Sequence, residues 1–283
     1  LKPLVDELGL DVELEDNLVA LAQYHCNENS GNRSQLTQIL LDQFSADGGL
    51  TKNHEILARL PVSTYWTTNY DTLIEDALTA AGKKPDVKYT IPHLAHTQPK
   101  RDAVVYKMHG DIAHPNNVII TKDDYEAYQT KFQPYITALS GDLVEKTFLF
   151  IGFSFTDPNL DYILSRIRIT YDENQRRHYC LLKVIEKLVD EDDDNFQYRQ
   201  RKQALFINDL KRFNIQVLEL ASYDEITEIL TRLEARYQRN SVFISGAAHD
   251  YGEWGREKAE AFLSDISQRL IADKYRIVTG VGL

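Results

Sequence analysis

Residues 147–169, TFLFIGFSFTDPNLDYILSRIRI, decide how this chain is read. Residues 147–152 are an apolar, aromatic-rich run of strand length, closed by a small-residue turn at Gly152-Phe153-Ser154. Asp157 then suits a helix N-cap and Pro158 its first turn. Leu160, Ile163, Leu164 and Ile167 recur on one helical face. The stretch is therefore a strand, a turn and a helix that buries one side.

The same syntax repeats along the chain. Behind the strand-like run PVSTYW, residues 67–78 read TTNYDTLIEDAL. Thr72 and Glu75 have capping-box spacing, Leu73, Ile74, Ala77, Leu78 and Ala81 make an apolar face, and Gly82 supplies the stop. AVVYKMHGD, 103–111, reads as a strand ending at His109-Gly110-Asp111, and VIITKDDYEAY, 118–128, as a strand fragment before a helix. HYCLLKVI and FNIQVLEL are further apolar strands, and 4–24 and 34–44 read as helices. Such alternation predicts an α/β fold, a Rossmann-like and mostly parallel sheet flanked by helices. The acidic run EDDDN, 191–195, reads as a solvated loop rather than a metal site.

A helix over 223–237 closes this unit, and NSVFISGAAHDYGEWG restarts with a strand, a small-residue turn and a helix over 254–271. The restart divides the chain into 1–238 and 239–283. Met108 is the only methionine, and YRIVTGVGL runs from a strand into a glycine-rich turn, so the sequence reads as a piece of a longer protein.

Composition narrows the classes. At 43% hydrophobic and 27% charged, 283 residues suffice for a sizeable core. A net charge of -11 argues against broad binding to a phosphate backbone. No apolar run approaches the roughly 20 residues that cross a membrane. Two distant cysteines, Cys26 and Cys180, offer no disulfide framework, which makes a reducing cytoplasm the expected compartment.

Three strand ends carry unusual polar content: Thr68-Asn69-Tyr70-Asp71, His109-Gly110-Asp111 and Gly152-Phe153-Ser154. In an open parallel sheet, ligands bind beyond the carboxyl ends of the strands, so the three are expected to line one crevice. A glycine-containing turn there lets backbone N–H groups approach an anion.

These motifs resemble those of the sirtuins. TNYD at 68–71 is similar to the Gln-Asn-Ile-Asp signature with Thr68 in place of glutamine, His109-Gly110 to the catalytic His-Gly pair, and Gly152-Phe153-Ser154 to the Gly-Thr-Ser loop. The wording is nearest to bacterial sirtuin-like NAD hydrolases of antiviral (Thoeris) defence. The second unit, with VFISGAAHDYGEWG and VTGVGL, resembles the start of a SLOG-type nucleotide-sensing domain, also Rossmann-like.

The resemblance implies NAD as substrate, with Asn69 and His109 catalytic and Thr68, Asp71, Gly110, Gly152 and Ser154 binding it. Asn69 would orient the ribose and a water, and His109 would act as general base. Ser245, Gly246, Gly280 and Gly282 would cradle a cyclic ADP-ribose-type signal made by a TIR-domain partner enzyme, in a homo-oligomer, with a tetramer among its forms. Two features depart from the sirtuin pattern. The chain cannot supply a four-cysteine zinc module, so no zinc is expected. Nothing before residue 48 resembles the Gly-Ala-Gly-x-Ser loop of the family, which is expected upstream of Leu1. Two alternatives stay open: a protein deacylase or ADP-ribosyltransferase, and a sensor that binds NAD or another nucleotide without consuming it.

Overall fold

The computed structural model describes residues 2–11, 17–44, 48–239, 241–244, 252–273 and 275–279. Its elements run, in chain order, α1 (Lys2–Glu7), α2 (Leu18–Glu28), α3 (Ser34–Phe44), α4 (Lys52–Arg59), β1 (Thr64–Thr67), α5 (Leu73–Ala80), β2 (Pro85–Lys88), α6 (Ile91–Ala95) and β3 (Ala103–Lys107). There follow α7 (Lys122–Lys131), α8 (Gln133–Glu145), β4 (Leu149–Ile151), α9 (Pro158–Tyr171), β5 (His178–Lys183), α10 (Asp193–Leu210) and β6 (Ile215–Leu220). The last are α11 (Asp224–Arg239), β7 (Ser241–Ile244), α12 (Gly255–Ala272) and β8 (Arg276–Thr279). Two compact units divide at Ile226 and Thr227.

All strand pairs among the described residues are parallel, as the alternation of strands and helices predicts. In the first unit the described strands form two three-stranded sheets, in the orders β1-β3-β2 and β4-β5-β6. Tyr65, Ala103 and Val105 of the first sheet bury against Ala58 of α4 and Ala77 and Leu78 of α5. The second sheet packs Phe150, Cys180 and Ile215 against α8 and α9, where Leu139, Leu143, Ile163 and Leu164 are buried. Helices α1 to α3 form a third cluster: Leu4, Ala22, Cys26, Leu36 and Leu40 close on Tyr70, Val118 and Ile120. That cluster braces the loop after β1 and the segment before α7. Truncating a fully buried leucine such as Leu78 should cost about 2–5 kcal/mol.

Several boundaries differ from the sequence reading. The helix expected over 4–24 ends at Glu7, where Gly9 takes a left-handed φ of 65°, and α2 starts only behind the Asn17 N-cap. Residues 118–120 are buried but form no strand. Their backbone groups are satisfied elsewhere: Ile119 N–H donates to His109 O, Ile119 O accepts from Tyr70 Oη, and Ile120 N–H donates to Asp124. The acidic run is not a free loop, since Asp192 caps α10 and Asp193 and Asp194 occupy its first turn, where carboxylates suit the helix dipole. The capping box at α5 does not form. Thr72 turns its hydroxyl to Asp76 and Glu75 is drawn inward to buried Lys107, while Asp71 accepts from Leu73 N–H. Gly82 does end the helix with a φ of 75°, as Lys83 N–H returns to Leu78 O.

The second unit holds α11 from Thr227 onward, the parallel β7-β8 pair and α12. Ser245, Gly246, Gly280 and Gly282 lie outside the described residues, so the paired glycine turns expected there have no structural description. Among the described residues, no helix is long and apolar enough to cross a membrane.

Candidate active site

The turns after β3 and β4 meet at a cavity of about 530 Å³, within the usual range for small-molecule sites. Thr68, His109, Gly152 and Ser154 line it, together with Asn17, Lys122, Tyr125 and Asp157. Three strand ends separated in sequence therefore supply one wall each, which is the arrangement that parallel topology favours.

His109 is the most constrained of these groups. Its side chain is nearly buried, and its Nε2 stands 2.9 Å from Asp157 Oδ2, a close polar contact that falls short of an aligned hydrogen bond. Its ring also stands edge-on to Tyr125, with centroids 5.4 Å apart. Tyr125 closes the site, and burial pushes its phenol well above the usual range, so it remains protonated. Asp157 does two jobs at once. Its Oδ1 caps α9 by accepting from Asn159 N–H at 2.8 Å and Leu160 N–H at 3.1 Å, while its Oδ2 faces His109. Burial works to raise its pKa, but His109 and the two amides overcome that, and the carboxyl is held below the ordinary range.

The turn 152–157 is shaped by unusual backbone. Gly152 has a φ of 65°, and a Cβ there would meet open space, so the glycine serves conformation and leaves the cavity wall accessible. Phe155 also takes a left-handed φ, 58°, at a steric cost of about 1–2 kcal/mol for a non-glycine residue. It is held there by packing against Phe150, Phe153 and Phe206. Strain of this kind concentrates at functional loops. The hydroxyls of Ser154 and Thr156 pair at 2.7 Å on the exposed rim.

The remaining expected residues stand apart from this wall. Asn69 is exposed on the same loop as Thr68, and its N–H is fixed by Thr67 Oγ1. Asp71 uses its carboxylate on Leu73 N–H, a turn-forming contact. Gly110 is buried with a φ of 93°, and a Cβ would come within 3.1 Å of Asn117 O and Val118 Cα, so its role is to let two backbones meet. Asp157, Tyr125 and Lys122 were not singled out as site residues from sequence. For Asp157 a signal existed, because an N-cap carboxylate directly behind a strand-end turn must lie at the crevice. Nothing local marked Asn17.

Among the described residues, no group of three or more His, Cys, Asp or Glu side chains gathers as a metal site. Cys26 and Cys180 are both free and buried.

A parallel α/β unit with a histidine at the end of one strand and a glycine turn at the end of another matches the SIR2-like domain over residues 63–208, and the chain belongs to that family. Residues 225–283 match the Sir2- and TIR-associating SLOG family. The chain is 59% identical over 283 residues to the NAD(+) hydrolase ThsA of Bacillus cereus (strain MSX-D12), covering all of this chain and 60% of that protein. It is 51% identical to the NAD(+) hydrolase ThsA of Acinetobacter baumannii (strain 532279), covering all of this chain and 58% of that protein. A more distant relative is the defense-associated sirtuin 2 of Bacillus subtilis, 28% identical over 133 residues, or 46% of this chain and 13% of that protein. The chain thus spans about 60% of the length of the relative from Bacillus cereus.

Proposed function

We propose that the protein hydrolyses NAD, cleaving the bond between nicotinamide and ribose to give nicotinamide and ADP-ribose. The observation that carries this reading is the His109–Asp157 contact at a cavity also lined by Thr68, Gly152 and Ser154. Its support from outside the chain is its likeness, end to end, to two NAD(+) hydrolases.

Departure of nicotinamide builds positive, oxocarbenium-like charge on the ribose. Asp157, held ionised, keeps His109 oriented and stabilises it when it takes a proton from water or a ribose hydroxyl. Asn69 orients the ribose and the attacking water, because a neutral amide donates and accepts. Asp71, beside Asn69 and outside the cavity lining, binds the nicotinamide carboxamide or stabilises the developing charge. Gly152 and Ser154 hold ribose and phosphate, with Lys122 supplying positive charge on the same wall.

The second unit is the sensor in this reading. It takes a cyclic ADP-ribose-type signal from a TIR-domain enzyme through Ser245, Gly246, Gly280 and Gly282, and the signal releases the hydrolase within a homo-oligomer. The setting is depletion of cytoplasmic NAD in antiphage defence; the SLOG match supports the link to TIR signalling. A ligand that swings a 1:99 population fully must prefer the active arrangement by about 10⁴.

The reading is tested by titrating NAD into the full-length Asn69→Ala protein and following nicotinamide in parallel. Binding retained with turnover lost supports it. Turnover at the parental rate excludes the role of Asn69, and acyl-lysine- or acceptor-dependent nicotinamide release supports the transferase alternative.

A further inference from the structure

Beneath the site, outside the cavity wall, lies a buried charge cluster that the proposed mechanism does not use. Lys107, the last residue of β3, is fully buried, and its ammonium has four oxygen neighbours. It donates to Tyr70 O at 3.0 Å and Asp71 O at 2.5 Å, both in the loop after β1. It also reaches Asp111 Oδ2 at 2.6 Å, in the turn that carries His109, and Glu75 Oε1 at 3.0 Å on α5. One cation therefore ties together the two loops that carry Asn69 and His109.

The surrounding bonds make the tie directional. Tyr70 O also accepts from Ile112 N–H at 2.9 Å, Tyr70 Oη donates to Ile119 O, and Asp111 Oδ1 accepts from Ala113 N–H. One backbone bond, from Ile112 N–H to Tyr70 O, joins the two loops directly, and Lys107 is the side chain that bridges them. A buried ammonium is costly to desolvate and is kept where its partners are fixed. Here they are two carboxylates and two carbonyls. An apolar residue of similar length would fill the space but hold neither loop.

We propose that Lys107 is a positioning residue for the reaction, fixing the Asn69 loop against the His109 turn so that ribose, water and base are held in one geometry. The inference rests on the proposed NAD hydrolysis and deepens it. Glu75 is the member of the cluster supplied by α5. Burial raises its pKa and Asp111 adds a like charge, while Lys107 draws it back. A loop held by such a tie changes turnover more than binding when the tie is cut, because misplacement of reacting groups is felt chiefly in the transition state.

The experiment compares nicotinamide release and NAD binding in the full-length protein, with cyclic ADP-ribose isomers present as activator probes. Lys107→Met alone leaves two buried carboxylates without their cation and risks unfolding. The triple variant Lys107→Met, Glu75→Gln, Asp111→Asn removes all three ionisable groups together and leaves the cluster uncharged. The expected result is a folded triple variant whose NAD dissociation constant stays within about threefold of the parent while kcat falls by about 100-fold. A folded triple variant that turns over at the parental rate overturns the inference, as does one whose loss lies wholly in KM. The parent protein run alongside separates the two readings. No release from the parent strikes the proposed hydrolysis and this inference with it, whereas an active parent beside an equally active variant strikes this inference alone.

Discussion

Asp157 joins the N-terminus of α9 to His109, one oxygen on the helix amides and the other 2.9 Å from the imidazole. The two jobs separate by substitution. Asp157→Asn retains a side-chain oxygen that caps as well as aspartate does, but it removes the charge facing His109. The expected result is a melting temperature close to the parent with nicotinamide release reduced by about 10–100-fold, the scale of general acid–base contributions. Asp157→Ala should lose the cap as well and destabilise the protein by about 1 kcal/mol more. Thermal melts beside turnover assays check both.

His178 gives the fold a pH dependence remote from the chemistry. It is buried, its Nδ1 accepts from Phe148 N–H at 3.1 Å, and burial lowers its pKa to about 4, with Arg176 adding to the effect. The unfolded chain therefore binds a proton near pH 6.5 that the folded chain refuses until about pH 4. Stability contributed by neutral His178 is intact above pH 6.5 and is lost as pH falls toward 4. Between pH 7 and 5 this group alone should cost about 2 kcal/mol. Urea midpoints at the two pH values measure it, and His178→Gln, which keeps an acceptor but does not titrate, should flatten the difference.

Gly110 and Gly152 both take positive φ, yet their substitutions should differ. Alanine at Gly152 adds a Cβ into open space and should cost only the left-handed strain, about 1–2 kcal/mol. Alanine at Gly110 would also press on Asn117 O and Val118 Cα, backbone atoms that cannot swing aside. Gly110→Ala should thus be clearly the less stable of the two, and calorimetry of the pair checks the order.

What was legible in the sequence was local. Asp157 and Pro158 announced α9, Gly82 announced the end of α5, and Leu160, Ile163, Leu164 and Ile167 do face the core. Long-range pairings set what was not legible. Glu75 has capping-box spacing, but a buried ammonium attracts it more strongly than the helix end does. Residues 118–120 have strand composition, but their partners are a loop, a tyrosine hydroxyl and Asp124 rather than a neighbouring strand. Helix α10 is polar on most of its surface, with only Leu210 buried, so no apolar period betrayed it. The convergence of Thr68, His109, Gly152 and Ser154 on one cavity was legible because strand ends in a parallel sheet converge by topology. The second contact of Asp157 was not, because local spacing carries no information about which strand end lies opposite.

The most direct test of the account is nicotinamide release from NAD by the full-length protein and by His109→Ala, each with and without cyclic ADP-ribose isomers. The account expects ligand-dependent release from the parent and a loss of about 10²–10⁴-fold in the variant, the range that general acid–base catalysis supplies. Release unchanged in His109→Ala, or none from a parent that still binds NAD, would contradict it.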